Sequence, residues 1–313
     1  MIIYNKKFIS QFILMGTVIS LELFEDKPDA VEAVYHYLQK AEKEFSANDN
    51  CSELMRINRS AGKQPVTVNS NLFSVIKQAV EFSKEYRTSF NIALGPLVKL
   101  WRIGFADQRV PLQSEIKSAL QLIDIDSVEL DESRHQVYLM NYGMELDLGA
   151  IAKGYFADQI IVLLKYFGIN NGIINLGGNT VTFGVNQVVS SHLWKVGIQS
   201  PWQYRGTMVG EVQCRACSAV TSGIGERNFQ YKGRLYHHII DPQTGYPLEN
   251  DLAQVTIFSS SSLYGEVLST VALFSGIDNG LLLINQIPNV SGVFISKTGR
   301  IRTTSGINFK AIA

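Results

Sequence analysis

The residues best suited to chemistry form the run Tyr236-His237-His238-Ile239-Ile240-Asp241-Pro242-Gln243-Thr244-Gly245-Tyr246-Pro247, which sets two imidazoles, a carboxylate and a rigid turn side by side. Imidazole is the side chain most often used as a general base near neutral pH. Pro242 cannot continue a sheet ladder, and Gly245 and Pro247 shape the exit, so the histidines should end a strand at a loop. Neighbouring strand residues face opposite ways, which lets one histidine face a site; the pattern leaves open which one. A second segment, Glu145 to Asp158, brings Asp147 to a strand end and then opens a helix through Gly149, Ala150, Lys153 and Gly154. Helix-terminal amides, small residues and a lysine suit a phosphate, with an ordinary strand-to-helix turn capped by Asp147 as the alternative. Asn175-Leu176-Gly177-Gly178-Asn179 allows close backbone approach, and Thr221-Ser222-Gly223 offers hydroxyl and amide donors from a loop. Cys214-Arg215-Ala216-Cys217 has redox or half-zinc spacing, which His237 and His238 would have to complete; without a second tight ligand pair, structural thiols are the simpler reading.

The elements that must position these residues follow from periodicity. Apolar residues at helical spacing predict helices over Pro28 to Phe45 and Leu72 to Tyr86. Ser52 should cap a short helix Glu53 to Ile57, and Ser114 a helix Glu115 to Leu122. Val128 to Met140 reads as a hairpin turning at Asp131 to Arg134, and Gly149 to Phe167 as a helix ended by Gly168. Strands are expected at Gly172 to Asn175, Thr180 to Phe183, Trp194 to Gln199, Met208 to Gln213, Leu235 to Ile240, Val293 to Ser296 and Arg300 to Thr303. Helical stretches Leu263 to Phe274 and Asn279 to Asn285 precede the last two. Helices and strands come in irregular order, which favours an α+β fold with mixed, largely antiparallel sheets. The whole of 1–313 reads as a single domain, with two intertwined subdomains as the alternative.

Lysine and arginine number 28 against 28 aspartates and glutamates, so no net charge draws nucleic acid or an anionic membrane. Three cysteines are too few for a disulfide scaffold and fit a reducing compartment. Lys6-Lys7 before Phe8 to Leu14 imitates a signal peptide, but Ser10 and Gln11 interrupt the apolar run and no small-residue cleavage site follows. The expectation is a cytoplasmic chain without a membrane span, β-rich from Phe8 through Leu23.

In order along the chain stand Met15-Gly16-Thr17, Phe45-Ser46 with Ser52-Glu53-Leu54 and Asn58, Phe90-Asn91 with Gly95-Pro96-Leu97-Val98 and Trp101, and then Asp147 to Asp158. Asn175 to Asn179, Thr221 to Gly223, His238 to Pro242 with Thr244-Gly245, and Glu266 to Thr270 complete the series. This series resembles the ApbE family of magnesium-dependent FAD:protein FMN transferases. The resemblance implies that FAD is the substrate and that its FMN half passes to a threonine or serine hydroxyl of an acceptor protein through a phosphoester bond, while AMP leaves. It implies Mg2+ on the backbone carbonyl of Ala150, Glu266 and Thr270. It also implies flavin-nucleotide contacts at Met15, Ser89, Phe90, Asn91, Asp147, Lys153 and Ile239, with Thr221, Ser222 and Gly223 as loop contacts. It nominates His238 over His237 at the reacting centre, so His238→Ala should abolish transfer and His237→Ala should be mild. Asp241 would orient His238 or hold the loop. Asn48, Asn91 and Glu266 depart from the family's usual aromatic, aspartate and aspartate. Two rival readings follow: a magnesium-dependent FAD pyrophosphatase, and a flavin-binding protein without catalysis.

Overall fold

Met15 and Gly16 both take positive φ, 55° and 68°, and turn the chain back on itself. The N-terminal β-rich stretch is therefore a hairpin, β1 (Phe8–Leu14) against β2 (Thr17–Leu23), in the computed structural model, which describes residues 7–312. Positive φ at both central residues is the twist a tight hairpin needs, and the sequence, with Met at the first of them, does not advertise it. Lys6, the first of the two lysines read as a signal-peptide imitation, lies outside the described residues.

The described residues divide into two units. The first comprises the chain up to Glu42, Lys153–Ser222 and the chain from Asp251 onward, and the second Lys43–Ala152 and Gly223–Asn250. Helix α1 (Pro28–Phe45), with the bounds its apolar stripe predicts, begins in the first unit and holds the chain's first crossing to the second at Glu42 and Lys43.

The second unit begins with α2 (Glu53–Arg59), whose cap Ser52 accepts from the Met55 amide at 2.9 Å, then β3 (Val66–Thr67) and α3 (Ser70–Glu85). There follow α4 (Gly95–Trp101), α5 (Gln113–Leu120), β4 (Val128–Asp131) and β5 (Gln136–Leu139), with the small antiparallel sheet ordered β3-β5-β4. Helix α5 starts earlier than expected, so Ser114 lies inside its first turn. The Glu115 carboxylate does the capping instead, accepting from the Leu112 amide at 2.7 Å.

The first unit resumes with α6 (Ala152–Tyr166), which starts three residues later than expected, then β6 (Gly172–Leu176), β7 (Asn179–Phe183), β8 (Trp194–Gln199) and β9 (Met208–Cys214). Strand β10 (Cys217–Gly223) holds Thr221, Ser222 and Gly223, which were expected in a loop. In the second unit, β11 (Asn228–Tyr231) and β12 (Arg234–His237) form a hairpin in which His237 is the last strand residue and His238 the first beyond it.

The chain closes in the first unit with β13 (Leu252–Ser259), α7 (Ser262–Asn285), β14 (Ser291–Ser296), β15 (Ile301–Thr303) and β16 (Asn308–Ala311). Gly276, at φ 72°, breaks α7 where sequence periodicity lapses between Phe274 and Asn279. The eight-stranded sheet is ordered β1-β2-β6-β7-β10-β13-β14-β15 and the three-stranded sheet β16-β9-β8. The ladders β1–β2, β2–β6, β6–β7, β7–β10 and β13–β14 are antiparallel, as the α+β expectation requires. Each unit has its own core. One packs Val196, Ile198, Val212, Phe258, Val293 and Ile295, and the other Leu97, Trp101, Ile116, Tyr236 and Ile240.

Candidate functional site

In the first unit, chemistry gathers where α6 meets the start of α7. Gly154 admits the contact: a Cβ there would lie 2.5 Å from the Ser262 carbonyl oxygen, 2.7 Å from Glu266 Cγ and 2.7 Å from Leu263 Cα. One turn further along α6, Asp158 accepts from the Ser261 hydroxyl (2.9 Å) and from the Ser262 and Leu263 amides (2.8 and 3.1 Å). An anion at a helix N-terminus satisfies amides that have no partner within the helix. Asn179 joins the β6–β7 turn to the same place, accepting from the Ser262 hydroxyl at 2.9 Å and donating to Glu266 Oε1 at 3.0 Å.

Glu266 is 6% exposed. Burial pushes its carboxyl above the usual range; Lys153, the Asn179 amide and the Gly154 N–H work in the opposite direction. Thr270, one turn on, donates its hydroxyl hydrogen to the Glu266 carbonyl at 3.1 Å, which leaves its lone pairs as acceptors. Ser222 lies 2.8 Å from the Ser269 hydroxyl and 3.5 Å from that of Thr270, and Thr221 is 2.8 Å from the Thr256 hydroxyl. The first unit thus brings together Lys153, Ser222, Glu266 and Thr270. Met15 sits in the β1–β2 turn, where its amide donates to Glu42 at 2.7 Å.

In the first unit a buried carboxylate and a threonine hydroxyl are donors that suit a hard cation; in the second unit Ala150 is exposed. Among the described residues no group of three His, Cys, Asp or Glu side chains is placed to hold a metal. A metal here would rest on one carboxylate supplemented by neutral oxygens.

In the second unit, the Asp147 amide donates to the Ile92 carbonyl at 2.8 Å, and Asp147 Oδ1 accepts from the Gly149 amide at 2.7 Å. Asp147 therefore closes a turn ahead of α6 rather than capping that helix. Burial raises its carboxyl, opposed by the Gly149 N–H and then by the charges of Arg227 and Lys99; the solvent surface it retains limits the rise. Asn91 accepts from the Ala93 amide and donates to the Ile123 carbonyl, both at 2.8 Å. Ser89 donates to the Tyr86 carbonyl at 3.2 Å. Phe90 is 2% exposed, so its side chain packs in the interior and only its backbone is left to meet a ligand in the Ser89-Phe90-Asn91 segment.

The two histidines separate cleanly. His237 is 4% exposed and its Nε2 donates to the Leu248 carbonyl at 2.9 Å. His238 is half-buried; its backbone amide donates to the Arg227 carbonyl at 3.1 Å, and its Nδ1 lies 3.2 Å from the same oxygen. A carbonyl only accepts, so Nδ1 carries the proton, and in the neutral ring Nε2 holds the basic lone pair. Asp241 holds the loop: its carboxylate accepts from the Gln243 amide (2.8 Å) and the Thr244 hydroxyl (3.1 Å). Gly245, at φ 74°, ends that loop, and its carbonyl accepts from Trp101 Nε1 at 2.8 Å. Ile239 is half-buried, and its carbonyl accepts from the Leu248 amide at 2.8 Å.

Three residues emerge that sequence reasoning left without a role: Asp158 and Asn179, which ended two of the motifs, and Arg227, whose charge acts on Asp147 and whose carbonyl bonds His238, and which had no local signal. No helix among the described residues is long and apolar enough to cross a membrane.

The chain is similar over 96% of its length to an FAD:protein FMN transferase of Klebsiella pneumoniae, at 37% identity and with 93% of that protein covered. A second such transferase, from Treponema pallidum, is 36% identical over 94% of the chain and 86% of its own length. Among solved structures, the ApbE protein of Thermotoga maritima superposes with a TM-score of 0.86 at 26% identity, covering 96% of this chain and 97% of that one. The apo flavinyl transferase ApbE of Pseudomonas stutzeri shares the fold, with a TM-score of 0.84 at 24% identity over 97% of this chain and 96% of its own. The sequence model of the ApbE family matches residues 15–294, a span that holds every candidate residue above, and the chain belongs to the ApbE family.

Proposed function

We infer that the chain is a transferase that moves FMN from FAD to a serine or threonine hydroxyl of an acceptor protein, forming a phosphoester and releasing AMP. The observation that carries this reading is the 37% identity, over 96% of the chain, to a relative named FAD:protein FMN transferase. The local geometry supports it. The reaction breaks the pyrophosphate bond on the FMN side, joins the acceptor oxygen to the FMN phosphorus and needs a base for the hydroxyl proton. His238 supplies that base at Nε2, with Nδ1 held toward the Arg227 carbonyl. His237, bound to the Leu248 carbonyl, is the strut behind it. Arg227 and Lys153 are the cations assigned to the phosphate oxygens, Asp147 and Asn91 shape the nucleotide loops, and Met15, Ser89, Thr221, Ser222, Gly223 and Ile239 are assigned to contacts with the flavin nucleotide. Magnesium, held by Glu266, Thr270 and the Ala150 carbonyl, would neutralise charge on those oxygens when bound.

The test incubates the full chain with FAD, magnesium and an unmodified acceptor protein bearing a serine or threonine flavinylation segment, then reads acceptor mass and AMP together. An FMN adduct with stoichiometric AMP supports transfer. Free FMN and AMP without an adduct mark hydrolysis, and FAD retained without AMP marks a binding protein; either result overturns the reading. Unchanged magnesium affinity in Glu266→Ala would remove Glu266 from the metal site.

A further inference from the structure

We propose that Cys214 and Cys217 form a reversible thiol–disulfide site at the point where the chain leaves the three-stranded sheet for the eight-stranded one. Their sulfurs stand 2.7 Å apart. Strand β9 ends on Cys214 and β10 begins on Cys217, with only the exposed Arg215 and Ala216 between. Each cysteine is anchored by a ladder, Cys214 opposite Trp194 and Cys217 opposite Thr182, so the two are held face to face by different sheets. Sulfurs already this close need little further approach to bond.

The two cysteines are not equivalent. The Thr182 hydroxyl accepts from the Cys217 amide at 3.1 Å and has one hydrogen to give, either to the Cys217 carbonyl at 3.2 Å or to its sulfur at 3.8 Å. Either thiol can donate to the other; with Cys214 donating, the bond holds the Cys217 thiol below its ordinary range and, with burial, raises that of Cys214. Cys217, whose sulfur the Thr182 hydroxyl faces at 3.8 Å, is assigned as the attacking sulfur and Cys214 as the resolving one. Both keep part of their surface in solvent, unlike inert core thiols. No third ligand of the Cys, His, Asp or Glu type joins them among the described residues, which leaves redox chemistry rather than zinc.

The oxidant is a low-molecular-weight disulfide. The Cys217 thiolate attacks one of its sulfurs, forming a mixed disulfide and expelling one thiolate. Cys214 then loses its proton and attacks the Cys217 sulfur, forming the internal bond and expelling the second thiolate. Two protein thiols and one small disulfide become one protein disulfide and two small thiols, and a dithiol reductant reverses the exchange. Strand β10 runs on from Cys217 to Thr221 and Ser222, so the staple stiffens the strand that carries them.

The full chain with Cys51→Ser, which removes the exposed third thiol, is equilibrated with glutathione and glutathione disulfide at graded ratios, alkylated and weighed. The expected result is a single transition from two alkylated thiols to none, with loss of two hydrogens and no retained glutathione. Adding Cys214→Ser should trap glutathione on Cys217, and adding Cys217→Ser should trap less on Cys214. Two glutathione adducts without an internal bond, two free thiols at every ratio, or an adduct favouring Cys214 would each overturn the proposal.

Discussion

Replacing Gly154 with alanine tests the geometry that places Glu266, because two physical effects predict opposite signs. Alanine is a better helix former than glycine by up to about 1 kcal/mol, so in an open helix the substitution stabilises. Here the new methyl would sit 2.5 Å from the Ser262 carbonyl oxygen and 2.7 Å from both Leu263 Cα and Glu266 Cγ. Two of these three atoms belong to the backbone, so no rotamer change relieves them, and α6 and α7 must separate. Overpacking of this kind costs about 1–3 kcal/mol, and the upper part of that range applies when backbone must move. Subtracting the propensity gain leaves a net loss of about 2 kcal/mol. Urea unfolding of the two proteins at one pH reads this as a lower midpoint at unchanged slope. Transfer should fall as well, since the Gly154 amide and the Glu266 carboxylate are partners. A midpoint equal to or above that of the parent would refute the close approach and, with it, the account of how Glu266 is held.

His237→Ala should cost about 1–3 kcal/mol, because the buried Leu248 carbonyl loses its donor, yet leave turnover per folded molecule intact. His238→Ala should abolish transfer with little change in melting temperature, and the reverse pattern would exchange the two roles. Asp147 has its carboxyl raised by burial, so over the window above the unfolded value of 3.8 the native state holds a proton that the unfolded chain has released. Stability should therefore fall as pH rises through that window and level off above the folded value. Asp147→Asn should flatten this part of a urea-midpoint profile, and parallel profiles would contradict the raised carboxyl. Closing the Cys214–Cys217 loop should stabilise the Cys51→Ser chain by about 2 kcal/mol on the loop-entropy relation for four residues. Oxidised and reduced samples with equal urea midpoints would show that the bond strains the crossover.

How much of this was legible depended on whether the signal was local. Helix α1 matched its expected bounds because its apolar residues repeat at helical spacing. Strand β13 passed unread because all eight of its residues are buried, which erases the alternation that marks a strand. Strand β10 ends in Thr221-Ser222-Gly223, whose composition is that of a loop; its ladder to β7 supplies what composition cannot. Ser114 looked like a cap, yet the side chain that reaches the free amide is the longer Glu115. The histidine loop was legible as a turn, but the identity of the outward imidazole came first from family register and only then from hydrogen bonds. Asp158 acts on residues 103 to 105 positions away and Asn179 on one 87 positions away, separations at which no sequence window carries information.

The three departures from the family's usual residues have different physical weight. Asn91 spends its amide nitrogen on the Ile123 carbonyl, a bond that an aspartate could not make because a carboxylate has no hydrogen to donate. Its presence is therefore part of how this chain builds the loop, not the trace of a lost function. Glu266 is one methylene longer than aspartate, and the surroundings accommodate that length: Gly154 provides room beside Cγ, while Asn179 and the Gly154 amide meet the carboxylate. A site degrading toward simple binding would have no reason to keep a buried carboxylate whose ionised form is costly unless a cation or a full set of donors repaid it. Asn48 is exposed, with its backbone amide bonded to the Ser46 hydroxyl at 3.1 Å. Asn91 and Glu266 thus each hold a defined place in the local bonding, so these two departures are no argument for lost chemistry.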